Sequence, residues 1–187
     1  PHFETLSELE QLLSTDDSIA GVIVEPIQST YGDNHLDYQF MRGIRELCTE
    51  LGVPLIFDEI QTGFCATGKT WFFEHLDIVP DIVIFGKKAQ VCGIMVTEEF
   101  SSIFKSKYKM LDTTWDSDLV DMIRSTYIMG VIEDENLREL ISINSPKFLS
   151  HLQSINNIYN VRGKGCLIAF DFETQNQRDK FYKNLYQ

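Results

Sequence analysis

No apolar stretch in the sequence approaches membrane length. Its longest ones, such as Ile82 to Phe85, fall far short of the roughly 20 residues a membrane helix needs. Basic residues are scarce. The 16 Lys and Arg stand against 28 Asp and Glu, for a formal net charge of -12, and no Lys- and Arg-rich run occurs. A nucleic-acid scaffold would need a basic stripe to neutralise phosphates, and an anionic membrane surface is disfavoured for the same reason. The four cysteines, Cys48, Cys65, Cys92 and Cys166, form no C-x-x-C pair, and each sits among apolar or small residues. They read as structural thiols in a reducing compartment. His2, His35, His75 and His151 are equally dispersed, so no His or Cys cluster has metal-ligand spacing and no metal site is expected. Pro1-His2-Phe3-Glu4 is not a basic region followed by an apolar run, so no secretory signal is visible and a cytoplasmic setting is expected.

What is present is the mixture of an ordinary globular protein: 187 residues, 43% hydrophobic and 24% charged. That length supports one domain, or one domain with a piece of another. Three β-branched apolar runs, Ala20 to Val24, Val53 to Phe57 and Ile82 to Phe85, each end at polar residues. Continuous runs of this kind suit strands of a parallel sheet buried on both faces. Between the first two, Phe40, Ile44, Leu47, Cys48 and Leu51 recur at helical steps, and Gly52 supplies a stop. The result is a right-handed β-α-β unit and an α/β fold with a mostly parallel sheet. Further on, Leu119 to Ile132 has helical spacing, and Leu137 to Ile155 reads as helices interrupted near Ser145-Pro146. Arg162-Gly163-Lys164-Gly165 then precedes a strand, Cys166 to Phe172, and a helix from Gln177 to Tyr186. A boundary near Asn157 divides residues 1–156 from a small α+β piece, 157–187.

Ligands of open parallel sheets bind beyond the carboxyl ends of the strands. Three polar sets stand there: Glu25 with Gln28, Asp58 with Glu59 and Gln61, and Lys87 with Lys88. A carboxylate and a lysine on one edge can form an ion pair, or they can serve an amine-chemistry cofactor. The segments Glu25-Pro26-Ile27-Gln28, Asp58-Glu59-Ile60-Gln61-Thr62-Gly63 and Phe85-Gly86-Lys87-Lys88-Ala89-Gln90-Val91-Cys92-Gly93 resemble the class III, fold-type I pyridoxal-phosphate aminotransferases. The last segment is most similar to the lysine 6-aminotransferase branch, with the 4-aminobutyrate enzymes next.

The resemblance implies pyridoxal 5'-phosphate as cofactor, part of a fold-type I large domain plus the start of its small domain, and transfer of an amino group to a 2-oxo acid such as 2-oxoglutarate. The donor it points to is a terminal amine such as that of lysine or 4-aminobutyrate. It also assigns roles. Asp58 would pair with the pyridine nitrogen and keep it protonated. Ile60 would pack on the ring, Gln61 would hydrogen-bond near the phenolic oxygen, and Lys87 would condense with the aldehyde and later move the proton. The doublet leaves the register open. Counting forward from Gln61 favours Lys87, and counting back from Cys92-Gly93 favours Lys88; the forward count crosses the better-matched segment, so Lys87 is preferred. Glu59 has no part in this scheme and reads as a solvated or capping carboxylate. Thr114, in Thr113-Thr114-Trp115, matches a threonine that contacts the cofactor phosphate of a partner subunit, which implies a homodimer.

Three departures stand against the pattern. Asp116-Ser117-Asp118 replaces glycines and an asparagine, placing carboxylates near a phosphate contact. Thr30 stands where the lysine and 4-aminobutyrate enzymes carry a glutamate that gates a substrate-binding arginine, so donor specificity does not transfer. The family's phosphate-cradling loop and substrate arginine have no counterpart in these 187 residues, so the chain is expected to be a central fragment. A truncated, incompetent relic is therefore the alternative to an active transaminase, and an aminomutase or decarboxylase of the same family is another.

Overall fold

The computed structural model describes residues 1–105 and 118–185. Its first helix, α1 (Leu6–Thr15), starts at a capping box: the Thr5 hydroxyl accepts from Glu8 N–H, and the Glu8 carboxylate accepts from Thr5 N–H. Strand β1 (Val22–Val24) follows, then a short antiparallel hairpin of β2 (Ile27–Gln28) and β3 (Asn34–His35). Helix α2 (Tyr38–Glu50) is capped by Asp37, whose carboxylate accepts from Gln39 and Phe40 N–H, and it ends before Gly52 at a left-handed φ of 68°. The chain continues through β4 (Leu55–Asp58), β5 (Ile82–Phe85), β6 (Gly93–Val96) and α3 (Glu98–Lys105). Helices α4 (Leu119–Asp134) and α5 (Leu137–Gln153), the hairpin of β7 (Tyr159–Lys164) and β8 (Leu167–Asp171), and α6 (Gln175–Leu185) complete it.

The three predicted strands and the crossover helix are all present. The main sheet has the order β1-β4-β5-β6, with β1, β4 and β5 mutually parallel. Strand β6, which the sequence pattern did not single out, runs antiparallel to β5 and pairs Ile84 with Ile94. Leu9 and Leu13 of α1 and Met41, Ile44 and Cys48 of α2 pack on Val22, Val24, Leu55 and Phe57 to form the core. In β5, consecutive Ile82 and Val83 are both buried, so that strand is covered on both faces. Ile23, between buried Val22 and Val24, is 58% exposed, so the expectation of strands buried on both faces fails for β1 among the described residues. The alternation of strand side chains puts Ile23 on the face that α1 and α2 do not reach.

Two other expectations need correction. Helix α5 runs unbroken through Pro146. A proline inside a helix forfeits one backbone hydrogen bond, but α5 is pinned by other contacts, with Ser142 Oγ donating to Gly68 O at 3.1 Å and Arg138 Nη1 to Thr70 Oγ1 at 3.0 Å. Of the four cysteines, all free, only Cys48 and Cys65 are buried as structural thiols would be. Cys92 and Cys166 lie exposed in the turns before β6 and between β7 and β8. Burial pushes the Cys48 thiol up to about 11, which keeps it protonated and inert.

Candidate active site

Parallel pairing places the carboxyl ends of β1, β4 and β5 on one edge, so all three predicted polar sets emerge there. Asp58 ends β4 opposite Ile84 of β5, Glu25 follows β1, and Lys87 follows β5 by one glycine. A cleft of about 560 Å³ runs along this edge, with Glu25, Gln28, Asn34 and Asp58 on its wall. Asp58 is half-buried and accepts from Ile60 N–H at 3.0 Å, which sets the turn that follows the strand. Gln28 accepts from Asn34 Nδ2 at 2.8 Å across the β2–β3 hairpin. Thr30 is exposed on the 3-10 turn between those strands.

The lysines do not line this cleft, and they differ sharply from each other. Both belong to a 3-10 turn, Lys87–Ala89. Lys87 is exposed, has a left-handed φ of 49° and makes no hydrogen bond or ion pair through its amine among the described residues. Such a backbone costs a non-glycine residue roughly 1–3 kcal/mol and clusters at functional positions. The turn is closed by Gln90, whose backbone N–H donates to Lys87 O at 2.8 Å and whose side chain donates to the same oxygen at 3.1 Å. Lys88 is partly buried, and its ammonium donates to Gln61 O at 2.6 Å and to Ile60 O at 3.4 Å. Burial first, and then the Lys87 charge, lowers the Lys88 pKa. Ile60 also lies beside the turn, 3.8 Å from where a Cβ on Gly86 would stand. Asp58, Ile60, Gln61, Lys87 and Lys88 are thus gathered at the ends of two adjacent strands. Among the described residues no bond joins Asp58 to either lysine. Thr114, and with it Asp116, lies outside the described residues. Asp118 caps α4, accepting from Val120 N–H at 2.8 Å and Asp121 N–H at 3.1 Å.

Glu59 proves to be the capping carboxylate of the two readings open for it. It is 1% exposed and takes three donors: Thr62 Oγ1 at 2.8 Å, Phe72 N–H at 2.7 Å and Phe73 N–H at 3.0 Å. Burial raises its pKa against the pull of those hydrogen bonds. It ties the turn after Asp58 to the 3-10 turn Phe72–His75, and nothing in the local sequence marks a carboxylate whose two backbone donors lie more than ten residues away.

The Arg162-Gly163-Lys164-Gly165 motif is a second feature whose meaning needed the structure. The Arg162 guanidinium donates to Asp33 O at 3.1 Å and to Gly32 O, gripping the β2–β3 turn from β7. Lys164 Nζ sits 5.9 Å above the Tyr38 ring, and Cys166 N–H donates to Ala66 O at 2.7 Å. A Cβ on Gly165, at φ 63°, would fall 2.5 Å from Thr67 Cα. The motif is therefore the seam that joins the β7–β8 hairpin to the β2–β3 turn, α2 and the Ala66–Thr67 loop.

This fold and strand-end constellation define a mixed α/β protein of the fold-type I pyridoxal-phosphate class. The chain belongs to the class III aminotransferase family, whose model matches residues 2–187. Among curated relatives, an L-lysine-epsilon aminotransferase of Mycobacterium tuberculosis is 37% identical over 177 residues, covering 90% of this chain and 39% of that protein. A 4-aminobutyrate aminotransferase of Dictyostelium discoideum is 35% identical over 188 residues, covering 96% and 37%. The solved lysine aminotransferase of M. tuberculosis superposes with a TM-score of 0.85 at 34% identity over 97% of this chain and 44% of that one. An ornithine aminotransferase from Plasmodium yoelii does so with 0.82 at 25% identity over 92% and 48%. The chain spans about two fifths of the length of the curated relatives it matches.

The family's cofactor is pyridoxal 5'-phosphate, and the residues present suit its ring end. A half-buried carboxylate stands at the strand end, an apolar side chain lies beside it, and an amine without other partners occupies the neighbouring turn. A protonatable ring nitrogen, a ring face and an aldehyde call for these three groups in turn.

Proposed function

We propose that this chain carries the core of a pyridoxal-phosphate-dependent transaminase site, moving an amino group from a terminal amine such as that of lysine or 4-aminobutyrate to a 2-oxo acid such as 2-oxoglutarate. The observation that carries the reading is the placement of Asp58 and the lysine doublet at the carboxyl ends of adjacent parallel strands, within family motifs in the family order. When bound, the cofactor supplies an electron sink for the pair released as the donor loses its proton. Asp58 would hold a proton on the pyridine nitrogen by its negative charge, Ile60 would cover one ring face, and Gln61 would set the orientation near the phenolic oxygen. Lys87 would anchor the aldehyde carbon and then serve as the base that carries the proton between carbon atoms. The relatives' names support the donor class, whereas the exposed Thr30 at the gating position argues for a donor preference of its own.

The same proposal extends to assembly and organisation. Residues 157–187 begin a C-terminal small domain, held against the β2–β3 turn by Arg162 and against the Ala66–Thr67 loop at Gly165. Two copies would pair in the cytoplasm and complete each other's phosphate contacts, the role that the family resemblance assigns to Thr114. The apolar surface of α4 supports pairing: Leu119, Ile123 and Tyr127 are 72%, 57% and 74% exposed.

The deciding experiment is addition of pyridoxal phosphate with spectroscopic detection of a lysine-bound cofactor, followed by assay with lysine, ornithine and 4-aminobutyrate against 2-oxoglutarate. Lys87→Ala should abolish the bound species, and Asp58→Asn should preserve binding while slowing turnover by about a hundredfold or more. Failure of the wild-type protein to bind the cofactor would refute the reading.

A further inference from the structure

The lysine doublet has a division of labour that its sequence does not show. Lys88 is aimed at the turn after β4, whereas Lys87, exposed and at a left-handed φ of 49°, has its amine left without a partner among the described residues. The Lys88 ammonium bridges the two strand ends at the place where Asp58 and Lys87 must be held in a constant relation. It reaches Gln61 O at 2.6 Å and Ile60 O at 3.4 Å, three and two residues beyond Asp58, and it belongs to the residue directly after Lys87. Asp58 acts on the same turn, accepting from Ile60 N–H at 3.0 Å. The contact is made to backbone carbonyls, so only the donor at position 88 matters, and side-chain changes at Ile60 or Gln61 leave it intact.

We propose that Lys88 is a positioning residue of this site: by clamping the carbonyls of Ile60 and Gln61 it locks the turn that carries Lys87 to the turn that carries Asp58, and it takes no covalent part itself. The inference rests on the transaminase reading above. It assigns the two amines opposite duties, one free to react and one engaged in structure next to it.

The test uses the purified full chain equilibrated with pyridoxal phosphate. Condensation of a lysine amine with the aldehyde expels one water. Borohydride then delivers a hydride to the same carbon, so the modified lysine can be located by peptide mass spectrometry. In the wild type the label is expected on Lys87. In Lys88→Ala it should still be on Lys87, with the cofactor dissociation constant raised about tenfold or more, because misplacement of an otherwise intact group is what such a clamp prevents. The midpoint of the bound cofactor's absorbance change with pH should shift as well, a signature that simple loss of stability does not produce. Lys88→Arg, which keeps a cationic donor, should restore both quantities, whereas Lys88→Gln should not. Should Lys88→Ala fail to fold, the contrast between Lys88→Arg and Lys88→Gln decides the matter. A label on Lys88 in the wild type overturns the inference, as does a Lys88→Ala protein with unchanged affinity and midpoint. A wild type that takes no label on any lysine refutes the transaminase reading and this inference with it. A label on Lys87 with no effect of Lys88 substitutions refutes the inference alone.

Discussion

Glu59 illustrates how a single side chain can be more important to this structure than to its chemistry. Three donors converge on its buried carboxylate, two of them backbone N–H groups of Phe72 and Phe73. Glu59→Ala should lower stability by about 3 kcal/mol in urea denaturation, since several buried donors then lose their acceptor. Glu59→Gln, which retains one acceptor oxygen but turns an amide toward donors, should fall between. His75 offers a separate test. Burial, reinforced by the Lys164 charge, pushes its pKa down from 6.5 to about 4. The unfolded chain therefore takes up a proton near pH 6.5 that the folded protein refuses until about pH 4, so this group's contribution falls as pH drops through that window and is constant below it. His75→Gln, able to keep the contact with Thr67 Oγ1, should lose less thermal stability than wild type between pH 7 and pH 5. Equal losses would show that other groups set the acid sensitivity.

At the scale of elements, glycines in different settings should respond in opposite directions. Gly165 combines a left-handed backbone with close approach to Ala66 and Thr67 at the seam, so Gly165→Ala should cost about 2 kcal/mol or more and loosen the β7–β8 hairpin first. Gly130 lies in the exposed body of α4 with nothing within 4 Å of an added Cβ. Gly130→Ala should stabilise by about 0.5–1 kcal/mol through helix propensity alone. Thermal denaturation of the two variants side by side checks both signs, and hydrogen exchange locates the first loss. The predicted break of α5 at Pro146 fails for a reason of the same order: local propensity proposes an interruption, and tertiary contacts at Ser142 and Arg138 outweigh it.

For the molecule as a whole, the distribution of apolar surface is the informative quantity. One face of β1 and β4 is packed under α1 and α2, while Ile23 on the other and much of α4 are exposed. Helix α4 is apolar on several sides, and of its residues only Ser125 is buried. If two copies pair through it, Ile123→Asp combined with Tyr127→Asp should convert a dimer to monomers in analytical ultracentrifugation and leave the fold of the β1-β4-β5 sheet intact. An unchanged sedimentation coefficient would remove α4 from the interface.

Much of the site was legible in one dimension, because strand-end chemistry depends on local runs. A β-branched run followed by Asp58, and another followed by Gly86-Lys87, already place both groups on one edge once the strands are parallel, and the helix-length crossover makes β1 and β4 parallel. The α/β class, the three strands, α2 and the family all follow from such short-range patterns. What only the tertiary structure decided are the partners across long sequence separations. Among these are Glu59 beneath Phe72 and Phe73, Arg162 on the β2–β3 turn 130 residues away, and the exposure of Ile23 on β1. The division between Lys87 and Lys88 belongs here too. Their sequence contexts are nearly identical, and they differ because the carbonyls of Ile60 and Gln61, 28 and 27 residues upstream of Lys88, lie within reach of one amine and are bonded to it alone.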